Sequence, residues 1–600
     1  MKKILSMIMS LCLVFAVIAM PSTAAYAAAE KSAGNSWKIM SMSDTHLLIR
    51  KMIKNTTAYK RDINIDNKLY TESEAAVDRQ LQLVRQEKPN ILLITGDLTK
   101  DGELENHKAM SSKLRALKRD MPNMKIYVID GNHDIRNSNG KNFNTKNGKP
   151  VPAETTSPKQ FASLYDVTYK DSTVVSRYKP AEGTEAGMLS YAARPYKGLT
   201  IIALDSCCYS KDSNSDGEEE HETRGNIPAG LEKWAIKQIK AAKKRGDLVI
   251  GMEHHNIIPH FTMEEDVMAA FLVDNWDEAS TAFADAGLNY IFTGHMHATD
   301  VSRRVTAKGN ELFDIETGSS ITYPCPTRIT TFTRSKSGNT VTETAKGKTV
   351  EDLSVSFKSP LTGKNTTVPN LTELGYEHLV TEDLASGIVK SLLWKNLDDV
   401  PQSVYDAIDK IVWDLCRIPV TKDKKYDARE FVKFAYARTL AGDDDSNLPA
   451  WYKEGRKYVA SGAFLDKALR VLVKDLIAAS VETQRAILSK APVIDKLLSA
   501  AGIDPTSVEL AVRNAVATKS LSALGSINKS TVKHISAYLV KLTDSFAVDT
   551  NYDHDQTFSI TEKWSTKTGL AIKKKKQDNS CTQNPEGNSG YVDNIVAAVL

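Results

Sequence analysis

Between Trp37 and about Gly294, short apolar runs alternate with longer amphipathic stretches. The runs at 38–42, 91–95, 125–129, 200–204, 248–252 and 290–293 read as buried strands. The stretches 74–87, 103–118 and 231–244 carry apolar residues at helical spacing. Alternation of this kind predicts an α/β protein, a layered sheet covered by helices. From Val301 to about Thr344 the pattern turns β-rich: 311–316, 328–333, a Ser337-Gly338-Asn339 turn, then 340–344. This predicts a hairpin closing a second sheet.

Beyond Glu351 the character changes again. Residues 359–365 are linker-like, rich in Ser, Pro, Gly and Asn. Val404, Ile408, Ile411, Val412 and Leu415 then share one helical face, as do Val532, Ile535, Leu539 and Leu542. Residues 370–545 therefore read as an all-helical C-terminal domain following a first domain over 28–350. The stretch 546–600, with lysines at 573–576, is polar and reads as a poorly packed tail.

At 600 residues the chain is long enough for more than one core. With 41% hydrophobic and 25% charged residues it is ordinary for a globular protein. A net charge of +4 is small for this length and gives no support to a stable nucleic-acid partner. Lys2 and Lys3 precede an apolar run to Met20 and then small residues, so residues 1–27 read as a signal peptide cleaved after Ala27. The mature chain is expected outside the cell, with no transmembrane segment after cleavage; association with the cell wall is left open. Cysteines 207, 208, 325, 416 and 581 would remain, an odd number at scattered spacings and no disulfide framework. A bridge from Cys207 or Cys208 to Cys325 lacks support.

The residues that carry chemistry share one placement, each group following a predicted strand. These are Asp44-Thr45-His46, Gly96-Asp97, Gly131-Asn132-His133-Asp134, His254-His255-Asn256 and Gly294-His295-Met296-His297. Strand carboxyl ends converge on one crevice in α/β sheets, so these segments can meet. Carboxylate, imidazole and amide are ligands that Mn, Fe or Zn accept. The acidic cluster at 218–222 reads as a solvated loop, and so does His107 on its polar helix. His260 falls with them, although it could reach the substrate mouth. Asp205, after the run 200–204, reads as a local hydrogen-bonding group at the edge of the site.

The ordered set resembles the calcineurin-like metallophosphoesterase family, over roughly residues 37–300. The stretches 96–103 and 254–256 are similar to secreted Gram-positive relatives described as class III cyclic-nucleotide phosphodiesterases, with Asn256 standing where many relatives have Pro. The resemblance implies a four-layer β-sandwich flanked by helices and two transition-metal ions. One ion would be held by Asp44, His46, Asp97 and His297, the other by Asp97, Asn132, His254 and His295, with Asp97 bridging. Two such ions lower the pKa of a shared water, which makes hydroxide available to attack a phosphodiester, a 3′,5′-cyclic nucleotide being the named example. It also implies that His133 acts on the phosphoryl oxygen or leaving group, with Asp134 placed to fix its tautomer. The substrate would be a small phosphate ester. A phosphomonoesterase or nucleotidase would use the same site, and a non-catalytic cell-wall-associated binding protein is the alternative of a different class.

Overall fold

The computed structural model describes residues 35–64, 66–208, 223–379, 401–442, 448–489, 505–547 and 555–572. The leader-like residues 1–27, the acidic cluster 218–222, the lysines at 573–576 and Cys581 lie outside the described residues. Strand β1 (Ser36–Met42) pairs in parallel with β2 (Ile91–Thr95), and β2 with β3 (Lys125–Ile129). On its other side β1 runs antiparallel to Thr327–Ser337, which forms a hairpin with Thr340–Val350 in a six-stranded sheet. Strands β4 (Leu248–Met252) and β5 (Tyr290–Thr293) are the parallel centre of a second, seven-stranded sheet. Leu199–Ala203 lies parallel beside β4 and Glu311–Glu316 beside β5. The bounds of β2 to β5 are those that the apolar runs predict, and the run at 200–204 is shifted by one residue.

Side chains alternate across each strand. Ile250, Tyr290 and Phe292 join a core with Met40, Ile94 and Tyr127 from the other sheet. Val249 and Ile291 face the opposite way, under helices Ala229–Arg245 and Trp276–Ala286, beside Leu231, Ile239 and Phe283. Helices Ser73–Glu87 and Leu104–Asp120 pack on the first sheet through Val77, Leu81, Leu114 and Leu117. The layers run helix, sheet, sheet, helix, a mixed α/β fold.

Two expectations need correction. The linker-like segment 359–365 spans the turn of a hairpin between Val355–Lys358 and Asn365–Val368, with Val355 and Phe357 buried. The polar tail contains a strand: Thr557–Ser565 pairs antiparallel with Thr340–Val350 and closes the edge of the six-stranded sheet. Its residues alternate, with Phe558, Ile560 and Trp564 buried and Thr557, Ser559, Thr561 and Lys563 exposed. The described cysteines Cys207, Cys208, Cys325 and Cys416 are free.

The C-terminal helices have their own core, in which Val404, Ile408, Ile411 and Val412 meet Val473, Leu476 and Val512. They also dock on the first domain. Thr299 N–H donates to Leu440 O at 3.0 Å, and the Phe261 and Phe546 rings lie 4.9 Å apart. No helix among the described residues is long and apolar enough to cross a membrane. Trp564 is buried and carries the Lys243 ammonium 4.0 Å from its ring centroid. Trp564→Ala should therefore destabilise the chain by about 3–5 kcal/mol, read as a lower denaturant midpoint. An unchanged midpoint would leave this strand peripheral.

Candidate metal centre

Asp44 and His46 follow β1, Asp97 follows β2, and Asn132, His133 and Asp134 follow β3. His254 follows β4, and His295 and His297 follow β5. Parallel pairing points the carboxyl ends of β1, β2 and β3 one way, and likewise those of β4 and β5. Several of these residues have left-handed backbone: Asp44 at φ 49°, His46 at 35°, Asp97 at 49°, His295 at 75° and His297 at 65°. Each costs roughly 1–2 kcal/mol for a residue other than glycine. Such strain persists where the surroundings over-determine the loop and the geometry serves function.

Neighbouring loops hold that backbone. Asp44 N–H donates to Gly96 O at 3.2 Å and His46 N–H to Asp97 O at 2.9 Å. The glycines of two motifs are demanded by close approach. A Cβ on Gly131 would overlap the Asp97 carboxylate, and one on Gly294 would overlap the Ser43 hydroxyl and the Asp44 carboxylate.

Three groups of ligand atoms gather at this crevice, one of them His46, Asp97 and His133. Those of Asp44, His46 and His297 lie within 4.8 Å of one another, and so do those of Asp97, His254 and His295. Asp97 stands between them, with Oδ2 3.3 Å from His254 Nε2 and 3.6 Å from His46 Nε2. Asn132 Oδ1 is 3.0 Å from His254 Nε2. His46 Nε2 and His297 Nε2 face each other at 3.1 Å, and Asp44 Oδ1 is buried without a hydrogen-bond partner. A buried orphan oxygen beside converging imidazole nitrogens fits cation ligation better than hydrogen bonding. Burial pushes the His46 and His295 imidazoles well below their ordinary pKa. Burial raises the Asp97 carboxyl, but His254, His133 and His46 outweigh it and hold it well below its ordinary value. Neutral imidazole and ionised carboxylate are the ligand forms a metal needs, and at His254, where Asp97 outweighs burial and raises the imidazole to about 9, a metal would displace a proton.

The imidazoles are oriented from behind. His254 Nδ1 lies 2.8 Å from Thr95 O, which turns Nε2 inward, and His297 Nδ1 lies 3.2 Å from Thr322 Oγ1. His255 turns away, with Nδ1 2.8 Å from Ser206 Oγ and Nε2 3.1 Å from Thr223 O. Of the adjacent pair, His254 is therefore the one that faces Asp97. Asp205 binds locally, accepting from the Leu189 and Cys207 amides at 3.0 and 3.2 Å.

Asn256 ties the two histidine-bearing loops together. Its Nδ2 donates to Thr293 Oγ1 at 3.1 Å and to Glu316 Oε2 at 3.3 Å, while Glu316 Oε1 accepts from Ala298 N–H at 2.9 Å. Proline, with no side-chain donor, could not make this link. Glu316→Gln should raise the Mn²⁺ concentration needed for half-maximal activity by about 10–100-fold, with saturating metal restoring turnover. An unchanged metal requirement would leave Glu316 without a share in holding these loops.

Asp134 is not the group that orients His133. Its carboxylate accepts from the Gly131, Leu98 and Thr99 amides at 3.0, 3.1 and 3.1 Å and from Thr99 Oγ1 at 3.1 Å. It braces the loop from inside, where burial and then the Asp97 charge push its carboxyl up to about 7. The partner of His133 is Asp101, with Oδ1 2.9 Å from Nδ1. Asp101 was not singled out from the sequence because the contact joins positions 32 apart. Neither His107 nor His260 is solvated. His107 is buried between Tyr165 OH at 2.7 Å and Asp134 O at 2.9 Å. His260 is buried with Nδ1 3.0 Å from Asp300 and Nε2 3.4 Å from Asp314, a position that does not open to the mouth.

Two sheets carry imidazole, carboxylate and amide donors on their strand ends, a set that fits metal ions. Residues 38–299 match the model of the calcineurin-like phosphoesterases, a match that supports a metal-dependent phosphoester hydrolase. The family implies two metal ions. Among solved structures, the chain is similar to a dimetal phosphatase from Danio rerio at 13% identity and a TM-score of 0.34, over 56% of this chain and 99% of that one. It is also similar to GAP50, the anchor in the inner membrane complex of Plasmodium, at 13% identity and a TM-score of 0.27, over 57% of this chain and 94% of that one. No curated protein matches the chain.

Proposed function

We propose that this chain is an exported hydrolase of phosphodiesters, a 3′,5′-cyclic nucleotide among them, working with two ions of the Mn, Fe or Zn class. The observation that carries this reading is the place of Asp97, its Oδ2 within 3.6 Å of a histidine from each ligand group. One ion would be held by Asp44, His46, Asp97 and His297, the other by Asp97, Asn132, His254 and His295. When bound, the ions supply Lewis acidity toward the phosphoryl oxygens and a lowered pKa for the attacking water.

His133 manages the proton. Asp101 occupies its Nδ1, so Nε2 is the nitrogen that gives a proton to the leaving oxygen. Burial opposes the charged imidazole, but Asp97 and Asp101 outweigh it and raise the pKa. The His133 side chain is 26% exposed while the donors around it are buried, so it stands at the mouth.

The test compares initial rates of metal-loaded full chain on bis-p-nitrophenyl phosphate, cyclic nucleotides, nucleoside monophosphates and sugar phosphates. Diester hydrolysis abolished by chelation and restored by Mn²⁺ is expected. Faster monoester turnover would favour a phosphomonoesterase, and no metal-dependent hydrolysis of any ester would refute the reading. Export is tested separately, by N-terminal sequencing of protein from the culture medium, expected to begin at Ala28.

A further inference from the structure

Asp130 follows β3 directly and stands just before Gly131-Asn132-His133. Asp205 and Cys207 follow Leu199–Ala203, a strand of the other sheet. A carboxylate oxygen of Asp130, one of Asp205 and the sulfur of Cys207 lie within 4.8 Å of one another, and all three residues are buried. The cluster lies behind the crevice: a Cβ on Gly96 would sit 2.4 Å from His254 Nδ1 and 3.0 Å from Asp130 O. Its residues are distinct from those of the three groups at the crevice.

The hydrogen bonds around the cluster leave one side chain unanswered. Asp205 accepts from the Leu189 and Cys207 amides at 3.0 and 3.2 Å, and the Cys207 thiol donates to the main-chain Asp130 O at 3.8 Å. Both carboxylate oxygens of Asp130 are buried without a hydrogen-bond partner among the described residues. A second carboxylate close by makes that worse, because like charges repel most where water is excluded. Buried carboxylates are paired or coordinate a metal, and an orphan oxygen aimed at other ligand atoms marks a missing ion.

We propose that Asp130, Asp205 and Cys207 form a further cation site, for one ion of the Zn²⁺ class. Magnesium and calcium take oxygen ligands, whereas thiolate sulfur selects zinc and its soft neighbours. Zinc binds sulfur at about 2.3 Å and carboxylate oxygen at about 2.0–2.2 Å, so donors already gathered this closely need little movement. The thiol releases its proton to solvent as the sulfur binds, since the thiolate is the ligand. The ion fastens the loop that carries Asn132 and His133 to the loop after Leu199–Ala203, across the two sheets. This site stands apart from the phosphoesterase reading and does not depend on it.

The test loads metal-free full chain with Co²⁺, which takes the place of zinc and absorbs in the near ultraviolet when a thiolate binds it. Among the described residues, Cys207 is the cysteine that stands in such a group. The band is expected in the wild type and in Cys208→Ala. Cys207→Ala should lose it and bind one ion fewer by elemental analysis. Asp130→Asn, which keeps the size of the side chain, should raise the Co²⁺ concentration for half the band by about 10–100-fold or more, since even the groups behind a ligand are worth that much. This variant carries the test if Cys207→Ala does not fold. No band in the wild type leaves the two carboxyls sharing a proton and overturns the inference. So does a band that survives in Cys207→Ala, or wild-type affinity in Asp130→Asn. The donors around Asp97 include no sulfur, so the band reads this site alone. A chain that shows the band yet hydrolyses no ester loses only its proposed function.

Discussion

Asp97→Asn protein should lose both metals and nearly all turnover, the largest single-residue effect expected in this chain. One Asp97 oxygen accepts the His133 amide at 2.9 Å, and the other faces His254 and His46. Asparagine can keep the first contact, because its amide oxygen also accepts. It puts a neutral amide NH2 donor toward the histidines, where two cations would need an anionic oxygen. The lost Lewis acidity is worth several kcal/mol, which is about 10³-fold or more in rate. His46→Ala, by contrast, leaves the group of Asp97, His254 and His295 whole. It should release one ion more readily than the other, leaving a one-metal species detectable by elemental analysis. Asp97→Asn protein with two metals and undiminished turnover would remove the shared-carboxylate assignment.

His133→Ala should keep both metals and still lose roughly 10²–10⁴-fold in turnover, the usual range for a positioned acid. The loss should shrink with a nitrophenolate leaving group, which needs little protonation, and appear in full with the alkoxide of a cyclic nucleotide. Asp101→Asn should follow the same leaving-group pattern more mildly, since Asp101 holds Nδ1 without touching substrate. Asp134→Asn should behave differently. Its carboxylate anchors the amides of Leu98, Thr99 and Gly131, so the substitution should lower stability and metal affinity for every substrate alike. Metal content and two rates on these three variants separate the roles. If His133→Ala loses metal in proportion to activity, His133 is a structural residue and the proton comes from elsewhere.

The strands that carry the site were legible because a buried parallel strand must be apolar along its whole length, as 91–95 and 248–252 are. The site motifs were legible because glycine and a polar ligand directly after such a run have few structural uses. The strand Thr557–Ser565 had a readable alternation, Phe558, Ile560 and Trp564 on one face, but it lay within a polar surround and its partner is more than 200 residues earlier. Strand pairing across that span leaves no local mark.

The sequence by itself determined the five strands that carry the site, where the ligand-type side chains sit on them, and that His254 and Asp97 belong to one crevice. These follow from short-range periodicity and from the rule that parallel strands present their carboxyl ends together. Only the tertiary structure decided that Asp101, not Asp134, holds His133. It alone showed Asn256 and Glu316 cross-linking two histidine loops, and Thr299 joined to Leu440 of the helical half. Each of these is a hydrogen bond between residues tens or hundreds of positions apart. Its geometry depends on how the two sheets and the helical half pack, a long-range outcome that local pattern does not encode.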